Sequence, residues 1–187
     1  MTLFVGLGNP GRTYENNRHN IGFRVIDALA SALNAQDISK STFFGTLFKS
    51  NDILLLKPTT YMNLSGKSVQ AVANFYKIEM DDIIVIHDDI DIPFGALRFK
   101  KGGGDGGHNG LKSIDSLISK EYNRVRIGVG KPLHSHQTAD YVLSDFTSDE
   151  EQKLKVLLPH IQEACLEFMK SSLETIRARF TLKQKEE

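Results

Sequence analysis

A single α/β domain is the fold this sequence predicts, with a twisted, mixed, mostly parallel central sheet surrounded by helices. Three observations lead there. The run Ile83-Ile84-Val85-Ile86 is followed at once by His87-Asp88-Asp89. Four consecutive β-branched apolar residues cannot turn a polar face to water, so they read as a strand covered on both sides, as in a parallel sheet. Stripes of helical period supply the cover: Phe23, Ile26, Leu29, Ala30 and Leu33 in one segment, Val69, Val72, Ala73 and Tyr76 in another. The length of 187 residues suits one domain spanning the whole chain, 1–187, with a C-terminal helical part from about residue 149.

Each element follows in order. Leu3-Phe4-Val5 is a short strand running into Gly6-Leu7-Gly8-Asn9-Pro10-Gly11. This spells GxGxxG, the dinucleotide-binding fingerprint, which requires a helix to begin in the loop and hold a pyrophosphate at its N-terminus. Residues 12–20 are polar and aperiodic and the first helix begins near Ile21, so we set that reading aside. Residues 43–48 and 53–56 form an antiparallel hairpin turned by Asn51-Asp52, and Pro58 ends its second strand. Gly66-Lys67-Ser68 mimics the end of a phosphate-binding loop, but the position of its first glycine holds Tyr61.

Beyond the central strand, Pro93-Phe94-Gly95 turns the chain into a half-exposed strand, with Leu97 and Phe99 inward and Arg98 and Lys100 outward. The glycine-rich run 102–110 reads either as a flexible surface loop or as a mobile lid. It leads into a helix over 111–118 whose N-terminus could hold an anion. Residues 124–129 form another strand, with Arg124 and Arg126 facing outward. A capping box between Ser148 and Glu151 starts a long helix that Pro159 should kink or break. Residues 173–180 form a last helix, and residues 183–187 are expected to fray.

Composition narrows the function. Acids and bases balance at 23 each, so any nucleic-acid or membrane partner must be met by a local patch. One such patch exists. Between Arg98 and Lys131 there are eight Lys or Arg (98, 100, 101, 112, 120, 124, 126, 131) against three acids (105, 115, 121), a net +5. A solvated face would explain it, but its place beside the glycine run favours phosphate binding. The single cysteine, Cys165, lies on an apolar helical stripe and reads as core. It excludes intramolecular disulfides and suits a reducing cytoplasm. The chain opens on a strand rather than a signal peptide, and no apolar run approaches a membrane span. His134 and His136 have no convincing third ligand nearby and are assigned to solvent.

Asn9, His19, Asn63, His87, Asp88, Asp89, His108 and Asn109 fall mostly at strand ends or loop tips. The acids after the central strand could simply cap the next turn. They also stand where open α/β sheets place ligands. There is no GxSxG elbow, no HExxH and no cysteine cluster. What remains is a histidine general base backed by a carboxylate, with asparagine amides to donate hydrogen bonds. That set suits attack of water on an activated carbonyl, an ester more than an amide.

Several stretches taken together resemble the bacterial peptidyl-tRNA hydrolases. They are Gly6 to Gly11, Tyr14, Arg18-His19-Asn20-Ile21-Gly22, Lys57-Pro58-Thr59-Thr60-Tyr61-Met62-Asn63-Leu64-Ser65-Gly66, His87-Asp88-Asp89-Ile90-Asp91-Ile92-Pro93 and the glycine run into Leu111. The resemblance implies cleavage of the ester joining peptide to the terminal ribose of tRNA, in peptidyl-tRNA lost from the ribosome. It implies His19 as the base, Asp88 as the acid that orients it, and Asn9 beside them, helping to tell blocked from free aminoacyl ends. Asn63 and Asn109 would hold the peptide or tRNA terminus and the attacking water. Tyr14 and Tyr61 would line the tRNA-end site, and Lys100 and Arg126 would clamp the 5′ phosphate. It further implies no cofactor and no metal, a cytoplasmic monomer, and no membrane or obligatory protein partner. Asn17 stands where the family often has threonine, and Asp89 where it often has glutamate; the second leaves open which acid faces His19.

Overall fold

The apolar run at Ile83 lies inside a seven-stranded sheet in the computed structural model, which describes residues 1–184. The strands are β1 (Thr2–Gly6), β2 (Gln36–Asp37), β3 (Gly45–Ser50), β4 (Ile53–Pro58), β5 (Ile83–Asp89), β6 (Leu97–Lys101) and β7 (Asn123–Gly128). Their order is β2-β3-β4-β1-β5-β7-β6. The inner four, β4, β1, β5 and β7, are mutually parallel. The flanking pairs β2–β3, β3–β4 and β6–β7 are antiparallel. The sheet is therefore mixed with a parallel centre, and only β3 and β6 oppose the common direction.

Six α-helices cover it: α1 (Ile21–Ala32), α2 (Ser65–Tyr76), α3 (Asn109–Leu117), α4 (Thr138–Val142), α5 (Ser148–Glu167) and α6 (Leu173–Phe180). Side chains alternate across the sheet, so two cores form. Phe4, Ile84, Ile86, Val125 and Ile127 pack with residues of α1, α5 and α6. Leu3, Val5, Ile83 and Val85 pack with residues of α2 and α3. Ile83 to Ile86 are all buried. At about 2 kcal/mol each they contribute on the order of 8 kcal/mol, enough to carry polar residues inward at the strand's end.

One close approach decides where the site forms. A Cβ on Gly22 would lie 2.4 Å from the Ile86 carbonyl oxygen and 2.5 Å from the Leu7 nitrogen. Only glycine lets α1 lie this near the ends of β1 and β5. The residues just before α1 are thereby pressed against the C-terminal end of β5.

The structure differs from the sequence reading in five places. β5 does not stop at Ile86; it runs through Asp89, because His87, Asp88 and Asp89 pair with Arg126, Ile127 and Gly128 of β7. The capping box lies one residue earlier, between Thr147 and Glu150. Pro159 sits within α5 without ending it; it is on the exposed face, where water can satisfy the carbonyl its ring deprives of a donor. α3 starts at Asn109, and the His108 side chain caps it, occupying the terminus read as an anion site. Arg124 points away from one core but is only 1 % exposed, because the second face is covered there too. At the end of the described chain, Leu182 pairs with Leu97 and covers part of the β6 edge. Lys183 and Gln184 have no regular structure, and the rest of the segment expected to fray lies outside the described residues.

Candidate active site

β1 and β5 are parallel and end at the same edge of the sheet. β5 brings Asp88 there, 1 % exposed. A one-turn 3-10 segment, Arg18–Asn20, held by its junction with α1, brings His19. His19 Nδ1 lies 3.0 and 2.9 Å from the two carboxylate oxygens of Asp88. Asp89 turns elsewhere and accepts from Arg126 Nε at 2.9 Å. The acid facing His19 is therefore Asp88.

A second histidine reaches the same carboxylate. His108 Nε2 is 2.8 Å from Asp88 Oδ1. His108 Nδ1 accepts the backbone N–H groups of Gly110 at 3.1 Å and Leu111 at 3.4 Å. A nitrogen that accepts carries no proton, so Nε2 bears the hydrogen and donates it to Asp88. His19 likewise donates from Nδ1, which leaves Nε2 as its free lone pair. Sequence reasoning put His108 among the convergent polar groups without giving it a partner. The helix start just after it was the available sign of a cap.

The electrostatics follow from this clamp. Burial opposes the charge on Asp88, but the two histidines overcome it and hold the carboxyl far below the usual carboxylate range. Burial pushes His19 down, and the charge and hydrogen bond of Asp88 more than reverse this, leaving it above the ordinary imidazole value. His87, one residue earlier, is driven down to about 4 by burial and by the neighbouring His108. Its Nδ1 donates to the Asp88 carbonyl at 2.8 Å, while its Nε2 is buried without a partner.

Asn9 is buried and is tied to Asn20, the residue after His19. Its Oδ1 accepts the Met62 N–H at 2.7 Å, and its backbone exchanges hydrogen bonds with the Asn20 side chain at 2.9 Å each. With Oδ1 engaged, the amide N–H donors remain for a ligand. Residue 61, just before Met62, has φ +63°, ψ 157°, a region that L-residues occupy only under constraint. This residue, Tyr61, is 55 % exposed, and its ring stands edge-on to that of Tyr14, with centroids 6.4 Å apart. Asn63 is exposed in the same turn.

His19, Asp88 and Asn109 line a cavity of about 650 Å³, together with Lys100, Arg124 and Arg126. Asn9, Tyr14, Tyr61 and Asn63 do not line it. Burial, then Arg126 and Arg124, depress the Lys100 ammonium. Of the eight basic residues from 98 to 131, these three reach the cavity; Lys101 and Lys131 pair with Asp81 and Asp91. His134 and His136 are exposed and stack on each other. Among the described residues, His19, Asp88 and His108 are the one group of three potential metal ligands. They suit a metal poorly, because the backbone donors at His108 Nδ1 keep the proton on the nitrogen that would have to ligate.

The C-terminal end of the parallel strands offers a carboxylate-oriented histidine to a cavity lined by both bases and acids, an arrangement of the class that can support general-base chemistry. Comparison with known proteins narrows the class: a family model described as Peptidyl-tRNA hydrolase matches residues 3–187, and the chain belongs to that family. It is 58 % identical over 183 residues to the peptidyl-tRNA hydrolase of Sulfurovum sp. (strain NBC37-1), covering 98 % of this chain and 97 % of the relative. The Wolinella succinogenes protein of the same name is 56 % identical over 186 residues, covering 98 % and 96 %. The crystal structure of peptidyl-tRNA hydrolase from Acinetobacter baumannii superposes with a TM-score of 0.93 at 33 % identity, over 98 % of this chain and 96 % of that one.

Proposed function

We propose that this protein hydrolyses the ester between peptide and tRNA in peptidyl-tRNA released prematurely from the ribosome, freeing the tRNA for reuse. The observation that carries the reading is the 2.9 Å contact of His19 Nδ1 with a buried Asp88, at a cavity lined by Lys100 and Arg126. His19 Nε2 takes a proton from water as the water oxygen attacks the ester carbonyl. Asp88 stabilises the imidazolium so formed. The tetrahedral intermediate collapses, the acyl–oxygen bond breaks, and the imidazolium returns the proton to the departing ribose oxygen.

The Asn9 amide donates to the substrate near the scissile bond and helps to tell blocked from free aminoacyl ends. Asn109 and Asn63 hold the peptide or tRNA terminus and the attacking water. Tyr14 and Tyr61 form the wall for the terminal nucleotide, where an exposed ring offers a stacking face. Lys100 and Arg126 bind the 5′ phosphate; an exposed edge of the Arg126 fork is available for this, since Asp89 engages Nε. The enzyme acts in the cytoplasm, where its substrate arises, as a monomer without an obligatory protein partner. No helix among the described residues is long and apolar enough to cross a membrane.

The test is release of peptide from an N-blocked aminoacyl-tRNA, with the unblocked form as control. His19→Ala is expected to abolish turnover while tRNA binding persists. Hydrolysis surviving intact in that variant would assign the chemistry to another base.

A further inference from the structure

The residue just before His19 is a buried arginine that the mechanism above does not use. Arg18 is 6 % exposed. Its Nη1 donates to Ser144 Oγ at 2.6 Å, to the Asp145 carbonyl at 2.7 Å and to the Ser144 carbonyl at 3.3 Å. Its Nη2 donates to Glu150 Oε1 at 2.8 Å. The guanidinium lies 4.4 Å from the ring centre of Tyr141 and 5.6 Å from that of Phe146. Glu150 Oε1 is also the acceptor for the Thr147 N–H in the capping box of α5. One carboxylate oxygen thus fixes both the start of α5 and the arginine.

The backbone on either side is tied to the same segment. Arg18 N–H donates to the Ser144 carbonyl at 3.0 Å, and Phe146 N–H donates to the Asn16 carbonyl at 3.3 Å. Asn17 Nδ2 donates to Asp145 Oδ1 at 2.7 Å. α4, immediately before this segment, contributes Thr138, Ala139 and Val142 to the cavity lining. One of the Arg18 donors, Nε, is buried without a partner. A guanidinium needs partners for its donors, but these partners come from one stretch, 144–150, and every bond pulls the turn carrying His19 toward it.

We propose that Arg18 is a positioning residue for the reaction, which holds His19 in register with Asp88 by fastening its turn to the segment between α4 and α5. This rests on His19 being the base. Asp88 from β5 and His108 from the cap of α3 are the titratable groups facing the His19 ring. If Arg18 lets go, the His19–Asp88 contact loosens while burial remains, and the imidazole becomes easier to deprotonate. Activity needs neutral His19, so the acid limb of the kcat profile moves to lower pH as kcat falls.

The experiment compares wild type, Arg18→Met, Arg18→Lys and Glu150→Gln in pH profiles of kcat on N-blocked aminoacyl-tRNA. Folded protein is counted by circular dichroism and thermal melting. Arg18→Met is expected to lose roughly 100-fold in kcat per folded molecule, the scale of a misplacement near 1 Å, with its acid limb shifted down. Arg18→Lys should fall between it and wild type, and Glu150→Gln should show a smaller shift of the same sign. If Arg18→Met does not fold, the other two carry the test. Folded variants with wild-type kcat and acid limb overturn the inference, as does a loss that only tracks the folded fraction. His19→Ala run beside them separates the two readings: if it retains turnover, the assignment of the base has failed instead.

Discussion

Replacing Asp88 by asparagine changes one oxygen to an amide nitrogen and almost no volume, yet it should nearly silence the enzyme. Two ring N–H groups point at this carboxylate, from His19 Nδ1 and His108 Nε2, at 2.8 to 3.0 Å. An ionised carboxylate accepts both; an asparagine has one acceptor oxygen and one NH2 donor. His108 cannot change its tautomer, because Gly110 and Leu111 donate to its Nδ1. The asparagine oxygen must therefore turn to His108, and its NH2 to His19. His19 then keeps the lone pair on Nδ1 and the proton on Nε2, which is the wrong tautomer for a base.

The lost charge adds to this. At about 4 Å between charge centres and an effective dielectric near 20, the carboxylate stabilises the imidazolium by about 4 kcal/mol. That corresponds to about a thousandfold in rate. With the tautomer also wrong, we expect kcat to fall roughly 10³- to 10⁴-fold. The assay is single-turnover release of peptide from N-blocked aminoacyl-tRNA. The geometry makes a second demand: adding His108→Leu frees the asparagine oxygen to face His19, so the double variant should recover part of the loss. An Asp88→Asn enzyme within tenfold of wild type, or a double variant no faster than the single, would refute the reasoning.

Two further outcomes are expected. Lys100→Ala and Arg126→Ala should weaken binding of tRNA substrates and flatten its salt dependence, each by about one phosphate contact; equal damage on a short ester without the tRNA body would remove the clamp. His87 should make the fold acid-sensitive. It titrates at about 4 when folded against 6.5 for the ordinary imidazole, so between those values the unfolded chain binds a proton that the folded chain does not. Stability then rises with pH across that window, and on acidification to pH 4 this residue alone removes about 3 kcal/mol. Urea unfolding of wild type and His87→Gln at pH 7 and pH 4.5 checks this: the variant should lose less on acidification, and equal losses would count against it.

What local sequence could decide, it decided. Ile83 to Ile86 admit one solution, a strand buried on both faces, and that strand is where it was expected. The hairpin turned at Asn51-Asp52 and the helices beginning at Ile21 and Leu173 follow from short-range turn chemistry and apolar period. His19 and Asp88 were named from the motifs around them, and the fold brings them into contact across 69 residues of chain.

The rest depends on which surfaces meet. Alternation along β7 says that Arg124 and Arg126 share a face, but not that both reach one cavity while the first is left only 1 % exposed. In the fold, Arg124 donates to the carbonyls of Gly103 and Gly104 at 3.1 and 2.6 Å, while Arg126 meets Asp89. Glu150 of the capping box also accepts from Arg18, a partner 132 positions away that no local pattern announces. The sharing of Asp88 between two histidines could not be read from the chain for the same reason. Period and propensity act over a few residues, whereas the state of a buried carboxylate is set by whatever donors the packing of distant elements brings within about 3 Å.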